Sequence, residues 1–496
     1  MTDRPEPAGT PSPEDGVPPS PARQYAAIAG GAVLFVVLLI LPPPEGMPVT
    51  AWRVAACAAL MAVWWLTEAL PVAATALVPL VLFPVLGVAS ADKTAAPYAN
   101  PLIFLFMGGF MIALAMQRWS LHRRIALGVL RAAGSAPDRL VGGFMIATAF
   151  LSMWVSNTAT TVMMVPIALS VIGLIGDGAK EGAPPPKFAV ALLLSIAYAA
   201  SIGGIATLIG TPPNALLAAF LAEQHGYRIG FAQWMVVGVP LALVLLYLAW
   251  LLLTGWLFPC GHEPIGGAAE AIESEVAALG PVSPSEKRVA AVFVTVAASW
   301  ISRPLLEGLL PGLSDAGIAI AGALAMFVIP AGTGDGRFLL NWDWAKRLPW
   351  GVLILFGGGL ALAAGINDSG LAAWIGSAMK GFAAWPVLLV IAALTAVVIF
   401  LTELTSNTAT AATFLPLAAA LATAVGVSVP YLAVPAALAA SCAFMMPVAT
   451  PPNAIVFGSG LLTVGQMARA GIWLNVIATA VIVLATWTLV RFVFLP

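Results

Sequence analysis

Charge is scarce in this chain. Of 496 residues, 9% are Asp, Glu, Lys or Arg, where a soluble globular domain carries about 25%. So few charges cannot cover the surface of a soluble protein of this length. Histidine and cysteine are scarcer, at three each. Cys57, Cys260 and Cys442 lie in or beside apolar segments, at spacings that fit neither a metal site nor a disulfide framework. His122, His225 and His262 fall in expected loops, and "HEPIG" at 262–266 lacks the second histidine of a zinc-protease helix. No nucleophile–base set is evident, so the sequence does not read as an enzyme. A net charge of −1 argues against a nucleic-acid partner.

What fills the chain instead is apolar sequence: 61% hydrophobic, with mean hydropathy +0.99. Runs of about 20 such residues mark membrane crossings. They are expected at 26–42, 51–68, 71–90, 98–117, 188–222, 233–257, 286–302, 315–331, 347–365, 429–460 and 470–493. Two further stretches, 139–176 and 385–425, are too long for one crossing, and each carries Ser-Asn-Thr near its centre. Each could be one long kinked helix, two crossings, or a hairpin that enters and leaves on one side; Ser and Asn interrupt helices and favour caps, which favours re-entrant hairpins with the triplets at their tips. The fold class read here is an all-α polytopic membrane protein, with about 11 transmembrane helices and two re-entrant hairpins.

The first 25 residues are polar and Pro-rich and read as a disordered cytoplasmic tail. With the N-terminus inside and the C-terminus outside, fifteen of the 21 Lys and Arg fall on the inner side, as the positive-inside rule requires. The segment 118–139 is basic and amphipathic and is expected to lie along the cytoplasmic interface. The stretch 258–286, with Glu263, Glu270, Glu273, Glu275 and Glu286, reads as a cytoplasmic linker.

The chain repeats itself. Gly108-Gly109, Ser156-Asn157-Thr158-Ala159-Thr160 and Pro166 recur 250 residues later as Gly358-Gly359, Ser406-Asn407-Thr408-Ala409-Thr410 and Pro416. "GTPPNA" at 210–215 recurs as "ATPPNA" at 449–454, an offset of 239; the difference of 11 fits the extra loop at 177–187. "RVAA" at 53–56 and Trp65 recur as 288–291 and Trp300 at offset 235. Five crossings and one hairpin separate the copies, and an odd number of crossings inverts the second copy. Inverted repeats of this kind build secondary transporters with midplane sites.

Proline breaks a helix by removing an N–H and clashing with the preceding turn. Pro212-Pro213 and Pro451-Pro452 therefore leave carbonyl oxygens and half-helix ends free, which hydrocarbon tolerates only where protein or water covers them. Carbonyl, Asn, Ser and Thr oxygens suit a small hard cation such as Na⁺, and half-helix N-termini suit an anion. Each half thus offers one cation clamp, with an anion between the two. No Lys or Arg occurs in 140–176, 188–222, 385–425 or 429–460. A buried anion would need co-bound cations to offset its desolvation, which couples the two loads. Two acids stand apart: Glu68 near a span end, and Glu403 three residues before Ser406 with Met153 as its counterpart. Glu403 reads as a structural partner of its hairpin, with a coupling proton site as the alternative; Glu68 reads as structural.

These paired motifs, in this order over nearly all of 26–496, resemble the divalent anion/sodium symporter family of Na⁺-coupled dicarboxylate, citrate and sulfate transporters. The resemblance implies a homodimer in the cell (inner) membrane, with a scaffold (26–138 and 287–384) and a transport domain (139–257 and 385–496) that moves as an elevator. It implies substrate contacts from Ser156, Asn157, Thr158, Ser406, Asn407, Thr408 and Pro451. It also implies one Na⁺ site at Ser152, Ser156, Asn157 and Gly210, and another at Thr402, Thr405, Asn407, Ala449 and Pro451, several through backbone carbonyls. The function expected is Na⁺-coupled import of C4-type dicarboxylates such as succinate, malate or fumarate. A dicarboxylate exchanger and a carrier of sulfate or citrate are the alternatives. A channel would need a continuous polar pore, and the spans between the motifs are almost uniformly apolar.

Overall fold

The computed structural model describes residues 21–176, 187–306 and 310–494. Among them the chain is helical, apart from irregular connections and one isolated bridge between Pro330 and Phe338. The first half runs through α1 (Pro21–Ile40), α2 (Val49–Thr67), the short α3 (Val72–Thr75) and α4 (Val78–Val85), α5 (Pro101–Arg118) and α6 (Leu121–Ala133). It continues through α7 (Pro137–Ser152), α8 (Asn157–Gly176), α9 (Lys187–Ile205), α10 (Pro212–His225) and α11 (Phe231–Leu251). After α12 (Ala268–Leu279) the second half follows with α13 (Pro284–Leu306), α14 (Asp315–Val328), α15 (Trp350–Asp368), α16 (Leu371–Ala378) and α17 (Val387–Thr402). It ends with α18 (Asn407–Val425), α19 (Pro430–Ala440), α20 (Pro451–Phe457) and α21 (Val464–Ala485). Nine helical stretches among the described residues are long and apolar enough to cross a membrane.

Both long stretches fold as helical hairpins. Residues 153–156 turn between α7 and α8, and 403–406 between α17 and α18. Both expected helix breaks are present, at 206–211 and 441–450. Two expectations need correction. The stretch 71–90 is not one helix: Pro79 has no N–H to give the carbonyl of Thr75, and the helix restarts at Val78. Within the expected linker, alanines and glutamates form α12. The first helix begins at Pro21, inside the expected tail; residues 1–20 and most of the 177–187 insertion lie outside the described residues.

Burial separates the layers. In α1 only Gly31 is buried, whereas every residue from Phe188 to Ile205 of α9 is buried. A helix apolar on all sides belongs in lipid or in a core; α1 fits the first and α9 the second. The halves interlock through their paired glycines. A Cβ on Gly108 of α5 would lie 2.6 Å from the backbone of Ala319 in α14, and one on Gly358 of α15 would strike the Ala76 carbonyl after α3. Only glycine permits this approach.

The basic face of α6 meets protein. Arg123 pairs with Glu275, Arg131 with Glu273 at 2.7 Å, and Arg124 with Glu286 at 2.5 Å. Arg124 also donates to the Gly280 carbonyl at 3.1 Å, at the C-terminus of α12. The linker helix is thereby strapped to α6, a use of these arginines that amphipathicity alone did not reveal.

Candidate substrate and cation site

Each hairpin tip is tied by one buried hydroxyl to the helix that leads into its neighbouring break. Ser152, the last residue of α7, donates to Asn157 Oδ1 at 2.5 Å and lies 2.7 Å from the Ala200 carbonyl. Thr402, the last residue of α17, lies 2.8 Å from Asn407 Oδ1 and 3.1 Å from the Ala440 carbonyl. Both hydroxyl residues are fully buried. Asn157 and Asn407 open helices of 20 and 19 residues, so the unpaired N–H groups and positive dipole ends of α8 and α18 stand at the two tips. Ser156, Asn157, Thr158, Ser406 and Asn407 are half-buried and Thr408 is buried.

At the first break the backbone comes unusually close to the tip. A Cβ on Gly204 would lie 2.9 Å from the Gly210 carbonyl oxygen and 3.0 Å from Asn157 Oδ1. Ser152 Oγ, Asn157 Oδ1 and the Gly210 carbonyl therefore gather beside Gly204, with Ala200 O bonded to the same hydroxyl. Such an oxygen cluster, without acid or base, matches the donors a monovalent hard cation takes. No group of three His, Cys, Asp or Glu able to hold a metal occurs among the described residues. At the second break Ala449 is buried and Pro451 half-buried. Thr405 is also buried, but its hydroxyl is bonded to the Leu401 carbonyl at 3.1 Å and faces Thr410 at 2.6 Å, not the Thr402–Asn407 pair.

The two breaks meet. Thr211 Oγ1 lies 3.4 Å from Ser441 Oγ, across 230 residues of sequence. Around this contact α10 packs on α18 and α19, while α20 packs on α8 and α9. The restarted helix of each half thus rests against the hairpin of the other.

Two residues of the site have a role that sequence reasoning passed over. Asn214 donates to the carbonyls of Gly204, Ile205 and Thr207, the last at 2.8 Å. Asn453, its counterpart, donates to Ala443 and Met446 at 3.3 and 3.0 Å. These asparagines staple the breaks open by binding carbonyls that the interrupted helices leave unpaired; their place in both TPPN copies was the available signal. Glu403 is buried as expected of a structural acid, but its partners belong to the second break and to α21 and not to its own hairpin: Phe444, Met445 and Met446 through backbone N–H, and Asn475. Glu68 is exposed and caps α2 in the left-handed region at φ 49°, a structural role.

Comparison with known proteins agrees with this architecture. Residues 24–495 match the family model described as the sodium:sulfate symporter transmembrane region. The sodium-dependent dicarboxylate transporter SdcS of Staphylococcus saprophyticus is 44% identical over 475 residues, 94% of this chain and 91% of that protein. The Staphylococcus aureus protein of the same name is 42% identical over 476 residues, covering 95% and 92%. Among solved structures, Neisseria gonorrhoeae MtrF superposes with a TM-score of 0.60 at 13% identity over 95% of each chain. The Alcanivorax borkumensis YdaH transporter superposes with 0.55 at 16% identity, over 81% of this chain and 87% of its own. These two share the fold alone. With a family model spanning nearly its whole length, the chain is a multi-pass membrane protein that belongs to the sodium:sulfate symporter transmembrane-region family.

Proposed function

We propose that this protein is a secondary active transporter that imports C4-type dicarboxylates together with Na⁺. The observation that carries the reading is the pair of buried Ser/Thr–Asn–carbonyl clusters at two breaks that touch through Thr211 and Ser441. Each cluster offers neutral oxygens to a cation, and each adjoins a helix N-terminus suited to a carboxylate. In this reading Ser156-Asn157-Thr158 holds one substrate carboxylate and Ser406-Asn407-Thr408 the other, with Pro451 beside the second. Gly210 and Ala449 add carbonyls to the cation sites, with Pro451 and the backbone of Thr405 completing the second. The names of the staphylococcal relatives support the same load.

Movement is read as an elevator, with the two hairpins and broken helices sliding against the rest. Its support is an asymmetry between equivalent positions. Trp154 at the first tip stacks near Trp300 and meets Phe293 edge-on at 5.0 Å, and Ile209 packs on Gly109. Their counterparts Leu404 and Val448 are 69% and 80% exposed. One tip is docked and the other free, and exchanging the two arrangements opens the site to the opposite side. We place the N-terminus inside and the C-terminus outside, and assign a homodimer in the cell membrane.

Uptake of radiolabelled succinate into proteoliposomes, with and without an inward Na⁺ gradient, tests this function. Accumulation driven by Na⁺ is expected. Uptake indifferent to Na⁺ but dependent on internal dicarboxylate would make the protein an exchanger. Competition by sulfate or citrate, with none by succinate, would move the substrate class.

A further inference from the structure

Glu403 is the only Asp, Glu, Lys or Arg in the four segments that carry the motifs, 140–176, 188–222, 385–425 and 429–460. It is 2% exposed, and it follows directly on Thr402. Its Oε1 accepts from Phe444 N at 2.6 Å, Met445 N at 2.9 Å and Asn475 Nδ2 at 2.7 Å. Its Oε2 accepts from Met445 N at 3.0 Å and Met446 N at 3.1 Å. The carboxylate is saturated by donors, so it has no lone pair left to serve as a cation ligand itself.

What it does to the backbone is specific. A continued helix would give the amides of residues 444, 445 and 446 to the carbonyls of Ala440, Ser441 and Cys442, by the i to i−4 rule. Glu403 takes all three amides. Accordingly α19 stops at Ala440, while α9 runs on to Ile205, the counterpart of Phe444. In the first half the position of Glu403 is held by Met153, whose backbone carbonyl accepts only the Thr207 hydroxyl at 2.6 Å. The second break is therefore one helical turn longer than the first. One of the released carbonyls, Ala440, sits 3.1 Å from the Thr402 hydroxyl of the second cluster.

We infer that Glu403 is a positioning residue that makes the second cation site stronger than the first. It holds the break open beside the Ala440 carbonyl that meets Thr402, and it adds a fixed negative charge in a medium where charges interact strongly. A cation at the second site is offset by Glu403 before any substrate arrives. A cation at the first site has no such partner and waits for the dianion. The two sites thus load unequally: Na⁺ alone occupies the second, and substrate brings in the first. This rests on the Na⁺-coupled reading above.

The test is a Na⁺ titration of the purified full-length protein, with choline holding ionic strength and no dicarboxylate present, read as thermal stabilisation and as ²²Na⁺ binding. Wild type is expected to respond saturably. Glu403→Gln should raise the half-saturating Na⁺ at least tenfold, and Glu403→Asp, which keeps the charge, less than threefold. A purely structural role would lower the Na⁺-free melting temperature and leave the half-saturation point of Glu403→Gln unchanged, and that result overturns the inference. Should Glu403→Gln not fold, Asn475→Ala removes one donor and keeps the charge. A rise of twofold to fivefold is then expected, and no change overturns the inference. A wild type without any Na⁺ response overturns the Na⁺-coupled function itself, and a wild type that responds while Glu403→Gln matches it overturns only the present inference.

Discussion

The two halves carry the same motifs and close them differently. In the first half the broken helix is wound through Ile205 and glycines bring its backbone against the tip; in the second it is unwound from Ser441 and a carboxylate holds it. The first tip is packed against aromatic rings, while the second tip leaves Leu404 bare and the second break leaves Val448 bare. Repetition in the sequence supplies two similar oxygen clusters. The departures from repetition supply a docked and a free tip, and one buried carboxylate that the first half lacks. In the carrier proposed above such inequality has a use, since perfectly equivalent halves would leave the site no preferred side.

The largest effects are expected at the feature both halves share. Asn157→Ala and Asn407→Ala should each reduce succinate uptake at least about 100-fold. Each leaves Ser152 or Thr402 still bonded to a carbonyl, so melting temperature should fall only by the equivalent of about 1 kcal/mol. Near-normal uptake in either variant would remove that half from the site.

The glycine at the first break sharpens the contrast. Gly204 has Ala443 as its counterpart, and a methyl on Gly204 would crowd Gly210 O and Asn157 Oδ1. Gly204→Ala should raise the half-saturating Na⁺ for succinate uptake at least about tenfold, because a displaced ligand weakens a buried cation strongly. Ala443→Gly should change it less than about threefold, a loss nearer the glycine entropy term. Equal effects would mean that the two breaks are built alike.

Exposure can be read directly. In a background without Cys57, Cys260 and Cys442, Val448→Cys should react with a water-soluble maleimide at least about ten times faster than Ile209→Cys. That ratio follows from the 80% and 5% exposure of the two side chains, given that thiol reactivity needs access. Equal rates would remove the docked-and-free distinction between the two breaks.

Much of this was legible in the sequence. Polar triplets and double prolines have no easy excuse inside apolar runs, so hairpins and breaks could be placed from residue type alone. The division of 71–90 was legible in principle, through Pro79, and was outweighed by the continuity of the apolar run. The partners of Glu403 were not legible, because backbone amides 41 to 43 residues away have no side-chain signature. The docking of Trp154 against Trp300 was hidden for a similar reason: an aromatic residue in an apolar segment looks the same whether it faces lipid or another helix.

The smallest effects belong to the linker between the halves. Arg124→Ala leaves the buried Glu286 carboxylate without its cation and held by the Ser283 N–H alone, and should cost about 2 kcal/mol. Arg131→Ala breaks an exposed pair with Glu273 and should cost less than about 0.5 kcal/mol. Chemical denaturation of the two variants side by side distinguishes a strap of graded strength from a uniform charged surface.

That two cation clusters and one dicarboxylate stabilise each other is tested most directly by calorimetric binding of succinate to the purified protein at low and at saturating Na⁺. Coupling between sites is reciprocal, so succinate should bind at least about tenfold more tightly at saturating Na⁺, and Na⁺ more tightly with succinate present by the same factor. A succinate affinity that is measurable and independent of Na⁺ would contradict the shared site.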